Sequence, residues 1–293
     1  QATVADLSHG TSKAKNMSIL AFVNSISFMI APLLGGILSD PKIVPFFGYW
    51  TPFLFASLLG LGAYFWIQFG FTESFEAKKG PIDFTRPIRA FKEAYQMKNV
   101  RLISFAFLSM QLGIALFLQY MIIFLSDKFH YSSFVIGLYY GYLGIFFSIS
   151  LLVVVPIFVK RYTFEKLIMW SLLVSGIIIL AAIIYQEEVF IWVMTALYGM
   201  SNNIAYAILM TTFSNQVSKD KQGWVMGIYG SCIALAFALG GLTAFLLPVF
   251  HIVGLIFVGA LCYFASFILM AIFIKDHTLY GPNGPIPPQS KTE

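Results

Sequence analysis

The residues able to do chemistry in this chain are few, mostly uncharged, and set inside long apolar runs. Asn24, Gln111, Gln119, Asn202, Asn203 and Tyr206 each fall in a stretch without Asp, Glu, Lys or Arg. Amides and phenols in such surroundings either hydrogen-bond a neighbouring helix or touch a ligand in a water-filled cavity, and both readings stay open for Asn24 and for Asn202. Tyr198, Asn202 and Tyr206 recur every four residues and form one polar-aromatic stripe on a helix. Gln111 and Gln119 lie eight residues apart, so they turn towards one sector of theirs. Nothing resembles a catalytic constellation: His9, His130, His251 and His277 fall in loops or at the edges of apolar runs with no ligand spacing. Cys232 and Cys262 sit within apolar helices, where a cysteine acts as a small hydrophobe. Neither an enzyme nor a metal or cofactor site is expected.

The elements that position these residues follow from composition. The chain has 293 residues, of which 59% are hydrophobic and 11% charged, too few charges to keep a globular surface in water. The charges are segregated: none falls within 16–39, 43–72, 102–126, 129–159, 167–186, 189–218 or 222–274. A bilayer core needs about 20 apolar residues per helix. These runs therefore predict eight spans, at 16–38, 48–71, 102–125, 133–158, 167–185, 189–213, 223–247 and 252–274. The fold class is all-α and polytopic. Of the 18 Lys and Arg, 16 lie in alternate loops and at the termini on one side, against Lys42 and Lys128 on the other. The positive-inside rule places both termini in the cytoplasm of a cell-membrane protein. The net charge of +5 is thus topological, and a nucleic-acid partner is not expected. Residues 72–100 form a cytoplasmic linker in which Ile88, Phe91 and Tyr95 share one face of a short amphipathic helix. The tail 277–293 is rich in Pro and Gly and reads as disordered.

The first span carries Ala31-Pro32-Leu33-Leu34-Gly35-Gly36. Proline and paired glycines are tolerated in a membrane helix that presses closely on a neighbour. Ser27, Ala31 and Gly35 recur every four residues, predicting one small-residue face for that approach. The seventh span repeats the first without a gap: Met17 and Met226 are 209 residues apart, as are Pro32 and Gly241. Both enter from the cytoplasm. A parallel repeat with a period of six helices implies twelve spans, and so four more ahead of Gln1.

Ala2, Ala5, Asp6 and Leu7, followed by the basic turn and Ala31 to Gly36, resemble the region joining the fourth and fifth helices of major facilitator drug/proton antiporters. Both the tetracycline-resistance and bicyclomycin-resistance types are similar here. The core of the motif matches, while Ala31, Ser27 and Asn24 depart from the family's upstream glycines. The turn Pro156 to Lys160-Arg161 is similar to the second copy of the family's loop motif. The resemblance implies a twelve-helix fold of which this chain holds helices 5–12. Residues 1–71 would end the N-terminal half, and residues 101–276 would form the C-terminal half. It also implies that Ala31, Pro32, Gly35 and Gly36 belong to the contact between the halves. The expected activity is alternating-access export of a small organic molecule, with the lipid bilayer as partner and protons as coupling ion. Uptake by the same superfamily, or a receptor that no longer transports, remain the alternatives. The cavity residues expected are Asn24, Gln111, Gln119, Asn202, Asn203 and Tyr206.

Overall fold

The structure is a computed structural model that describes residues 23, 26–27, 29–70, 96–215 and 222–276. Helices occupy each of the eight expected stretches: α1 Met29–Ser39, α2 Thr51–Gly70, α3 Lys98–Phe129 and α4 Ser133–Ile149 come first. A π-helical turn, Ser150–Val154, joins α4 to α5 Val155–Arg161. Then follow α6 Phe164–Ile184, α7 Glu188–Asn215, α8 Gln222–Leu242 and α9 Leu247–Asp276. Five helical stretches among the described residues are long and apolar enough to cross a membrane, one of them running from Trp224 to Lys275. Asn24, the linker helix around Ile88, the Ala2–Leu7 motif and the tail 277–293 lie outside the described residues.

Proline sets the π turn. Pro156 has no N–H to give the carbonyl four residues back and its ring crowds that carbonyl. The Val155 N–H accordingly bonds the Ser150 carbonyl, five residues away. The Ser150 hydroxyl donates to the Met200 carbonyl at 2.7 Å, which fixes the turn against α7. The end of α3 is set by His130, at φ 53°, a left-handed stop that glycine adopts more cheaply. Within α9, His251 has φ 54° and ψ 168°, so the helix breaks there after the 3-10 turn Thr243–Leu246.

The chain forms two compact units, residues 1–83 with 130–148 and residues 84–129 with 149–293. In the first, α1 packs antiparallel to α4. Apart from Thr51 the whole of α2 is without buried residues, and Phe53, Trp66 and Phe69 are exposed. An apolar helix bare on all sides is matched to hydrocarbon rather than to water. In the second unit α3 is the central element. It runs parallel to α8, with Gly240 over Ala115 and the Tyr120 hydroxyl 2.7 Å from that of Thr243. It runs antiparallel to α9, where Gly113 meets Gly259 and the Ser109 hydroxyl donates to the Cys262 carbonyl at 2.8 Å. These directions agree with odd-numbered spans rising together and even-numbered spans returning.

Candidate functional site

The small-residue contact on α1 falls on a different face from the Ser27–Ala31–Gly35 stripe. Ser27 and Ala31 are exposed, and a Cβ added at Gly35 would meet nothing within 4 Å. At Gly36 it would lie 2.6 Å from the Ser133 carbonyl oxygen and 2.8 Å from the Gly137 Cα. At Gly137 it would lie 2.7 Å from the Pro32 oxygen, and at Gly141 3.2 Å from the Met29 oxygen. The reason is helical phase: Met29, Pro32, Leu33 and Gly36 share a side at spacings of three and four, about 100° from Gly35. Two backbones approach this closely only where both lack side chains.

The polar stripe of α7 divides in two. Its N-terminal part is used up in helix packing. Tyr263 of α9 donates to the Asn202 Oδ1 at 2.7 Å and takes the hydroxyl of Tyr198 at 2.8 Å. All three are buried, and the Phe117 ring lies 4.4 Å from that of Tyr198. Next to them Ser175 donates to Ser201 at 3.1 Å, and Ser201 to the Ser171 carbonyl at 3.0 Å, tying α6 to α7. Asn203 is buried as well. Hydrogen bonds of this kind satisfy groups that hydrocarbon cannot.

The C-terminal part of the stripe belongs to another cluster. Tyr206 sits 5.8 Å from Tyr229 of α8 and 6.2 Å from Phe107 of α3, ring centre to ring centre. Phe107 and Tyr229 stack at 4.3 Å, and Phe213 closes the group edge-on to both. Gln111 follows Phe107 by one turn on the same face of α3. It is 3% exposed, and its Oε1 has no hydrogen-bond partner. A buried acceptor left empty costs about 1–3 kcal/mol, which a ligand donor would recover. Gln119 does not join it: its Oε1 lies beneath Gly240, 3.1 Å from where a Cβ would be, in the α3–α8 contact. Three helices thus bring two phenols and two phenyl rings together with no charge among them, and the Gln111 amide lies one turn along α3. Among the described residues the Tyr229 hydroxyl, the Trp224 Nε1 and the Ser266 hydroxyl are likewise buried without a hydrogen-bond partner.

Sequence reasoning missed Phe107, Phe213, Tyr229 and Tyr263. Nothing in the sequence marks the two phenylalanines in a chain with 31 of them. Tyr263 did carry a signal, being the one tyrosine of the eighth span. In the second unit, near the C-terminal end of α3 and the start of α9, a cavity of about 530 Å³ opens between Phe124, Asp127, Lys128, Gln186, Pro248 and His251. Among the described residues, no three His, Cys, Asp or Glu side chains come close enough to hold a metal ion. Cys232 and Cys262 are free thiols, both partly or wholly inside the bundle.

Among the described residues, an all-helical bundle with apolar outer faces and polar groups turned inward is the build of a polytopic membrane protein. Residues 1–241 match the Major Facilitator Superfamily, and the chain belongs to that family. Its fold is similar to a bacterial homologue of the iron transporter ferroportin in an inward-facing state, with a TM-score of 0.64 and 16% identity over 93% of this chain. It is also similar to a bacterial metal transporter, with a TM-score of 0.60 and 17% identity over 92% of this chain. The chain spans 66% and 67% of the lengths of those two proteins.

Proposed function

We propose that the chain is part of an alternating-access transporter that moves a small organic molecule, by proton-coupled efflux, across the cell membrane with both termini in the cytoplasm. Residues 1–71 and 101–276 then belong to opposite halves, which rock about a midplane site. The observation that carries this reading is Gln111. Its buried, unpartnered carbonyl stands one turn along α3 from Phe107, whose ring packs with those of Tyr206, Phe213 and Tyr229. Aromatic faces give a tolerant apolar grip and a single amide gives orientation, which is the usual composition of a site for drug-sized ligands. Such rings also favour cations without a carboxylate. The eight spans contain no Asp or Glu, so on this reading a carboxylate that carries the coupling proton would lie outside them.

The test is flux into proteoliposomes of the full-length protein under an imposed pH gradient, with ethidium as the probe. Gradient-dependent movement that Gln111→Leu abolishes is the expected result. Movement indifferent to the gradient would remove proton coupling, and equal flux in the variant would remove the site. A metal cargo is the second reading, suggested by the bacterial homologue of the iron transporter ferroportin and the bacterial metal transporter of similar fold. It competes poorly with the neutral cluster, since divalent cations favour carboxylate, thiolate or imidazole ligands. Flux of ferrous iron in the same vesicles without flux of ethidium would establish it instead.

A further inference from the structure

One carboxylate in the first unit does more than end a helix. α1 stops at Ser39, and Asp40, which follows, is only 4% exposed. Its Oδ1 accepts the Lys42 N–H at 2.9 Å, which closes its own turn. Its Oδ2 points away from that turn and accepts the Phe134 N–H of α4 at 3.4 Å, and the Ser132 hydroxyl donates to the same carboxylate. The first turn of a helix has four N–H groups without intrahelical partners, and a local cap satisfies one or two of them. Here Ser132 takes the Val135 N–H on its hydroxyl oxygen at 3.5 Å. The neighbouring donor is taken by a side chain from a different helix. One turn below, Gly36 and Gly137 bring the two backbones into contact. The seam is therefore closed by glycine along its length and fastened at its outer end by a charge on a helix N-terminus.

We propose that Asp40 is the latch of the outer α1–α4 seam: a positioning residue that holds the two helices together in the state described and lets go when the outer side opens. The inference rests on the assignment of α1 and α4 to opposite halves made above. On that assignment the bond from Asp40 to Phe134 crosses from one half to the other, and no rocking motion that opens the outside can keep it. Among the described residues, Lys42, on the same turn, is the one charged group acting on the carboxylate; α4 contributes the Phe134 N–H and the Ser132 hydroxyl. The Lys42 N–H and the Ser132 hydroxyl hold the carboxyl below its ordinary value of 3.8. A depressed carboxyl keeps its bonds above the ordinary range and loses them as pH falls through the lowered value. The latch is thus charged throughout the neutral range, and helix movement rather than protonation opens it.

The test needs no substrate, so its outcome is separate from whether the cargo is an organic molecule. Ile37→Cys on α1 is labelled with a membrane-impermeant maleimide from the outer side of vesicles holding the full-length protein. Labelling of the protein without that change is subtracted, to account for Cys232 and Cys262. Adding Asp40→Asn should raise the labelling rate about threefold or more, as befits the loss of a charge-assisted bond. Adding Ser132→Asp to Asp40→Leu, whose side chain can neither donate nor accept across the seam, then restores a charged cap on α4 without a link to α1. Labelling that stays high in this double variant supports a latch between helices. Unchanged labelling in Asp40→Asn overturns the proposal. So does a return to the original rate on adding Ser132→Asp, which would make Asp40 a cap and nothing more. If Asp40→Asn fails to reach the membrane, Ser132→Ala removes one donor to the carboxylate and carries the same test in the same direction.

Discussion

Gly35 and Gly36 are adjacent, yet a methyl group added to each should act with opposite sign. At Gly36 the new Cβ would lie 2.6 Å from the Ser133 oxygen and 2.8 Å from the Gly137 Cα. Relaxed contacts between heavy atoms stand at about 3.5–4.0 Å, so the helices must part by close to an ångström. Both obstructing atoms are backbone and cannot turn aside. Overpacking of this kind costs about 1–3 kcal/mol, and a gap that wide forfeits about a quarter to a half of each neighbouring contact. The helix-propensity gain of alanine over glycine, about 1 kcal/mol, offsets only part of it. Gly36→Ala should therefore destabilise by about 1–2 kcal/mol. At Gly35 the Cβ meets nothing within 4 Å, so the propensity term stands alone and the change should stabilise by about 0.5–1 kcal/mol. Thermal unfolding of the two purified variants in detergent separates them by about 2 kcal/mol. Equal shifts, or a larger loss at Gly35, would show that the seam lies on the Ser27–Ala31–Gly35 face, and the packing argument would fall.

Three further outcomes are open to measurement. Gln111→Leu should raise the thermal midpoint, because it removes an unanswered buried carbonyl worth about 1–3 kcal/mol, while ethidium flux is lost. Tyr263→Phe should destabilise by a similar amount, about 1–3 kcal/mol, since it removes the donor to the Asn202 Oδ1 and the bond between the Tyr198 and Tyr263 hydroxyls. A double-mutant cycle of Tyr263→Phe with Asn202→Leu should then show a strong coupling, and additive losses would refute the link. His251→Gly should stabilise by about 1 kcal/mol, as glycine adopts φ 54° and ψ 168° without the strain that a side chain carries there. A lowered midpoint would mean that the histidine side chain holds the break in α9.

The helical stretches were legible because charge is costly in hydrocarbon, so its absence over about 20 residues marks a candidate crossing directly. The phase of a helix against its neighbour was not legible in the same way. Gly35 and Gly36 have the same composition and the same surroundings in sequence, and only the position of Gly137 on α4 decides which one is pressed. The same limit applied to the polar stripe. Tyr198, Asn202 and Tyr206 recur at a helical period, which is local, but Asn202 meets a hydroxyl 61 residues further along. A period names a face and leaves its partner unnamed. Asp40 shows the reverse case, because an Asp-Pro turn after an apolar run reads as an ordinary loop until α4 begins beside it.

What distinguishes a binding residue from a packing residue in this bundle is therefore not polarity but what remains after the helices have bonded to one another. Asn202, Ser175, Ser201 and Tyr263 are as polar as Gln111, and each has its bond within the fold. Gln111 is as buried as they are and its carbonyl has none. In a medium with no water to supply the missing donor, such a group is stable only if something else arrives to fill it or if the protein bears the cost for the sake of that arrival. Among the described residues that remainder is the Gln111 Oε1, the Trp224 Nε1 and the hydroxyls of Tyr229 and Ser266, and on the function proposed above the Gln111 amide, one turn from the ring cluster, is the member to test first.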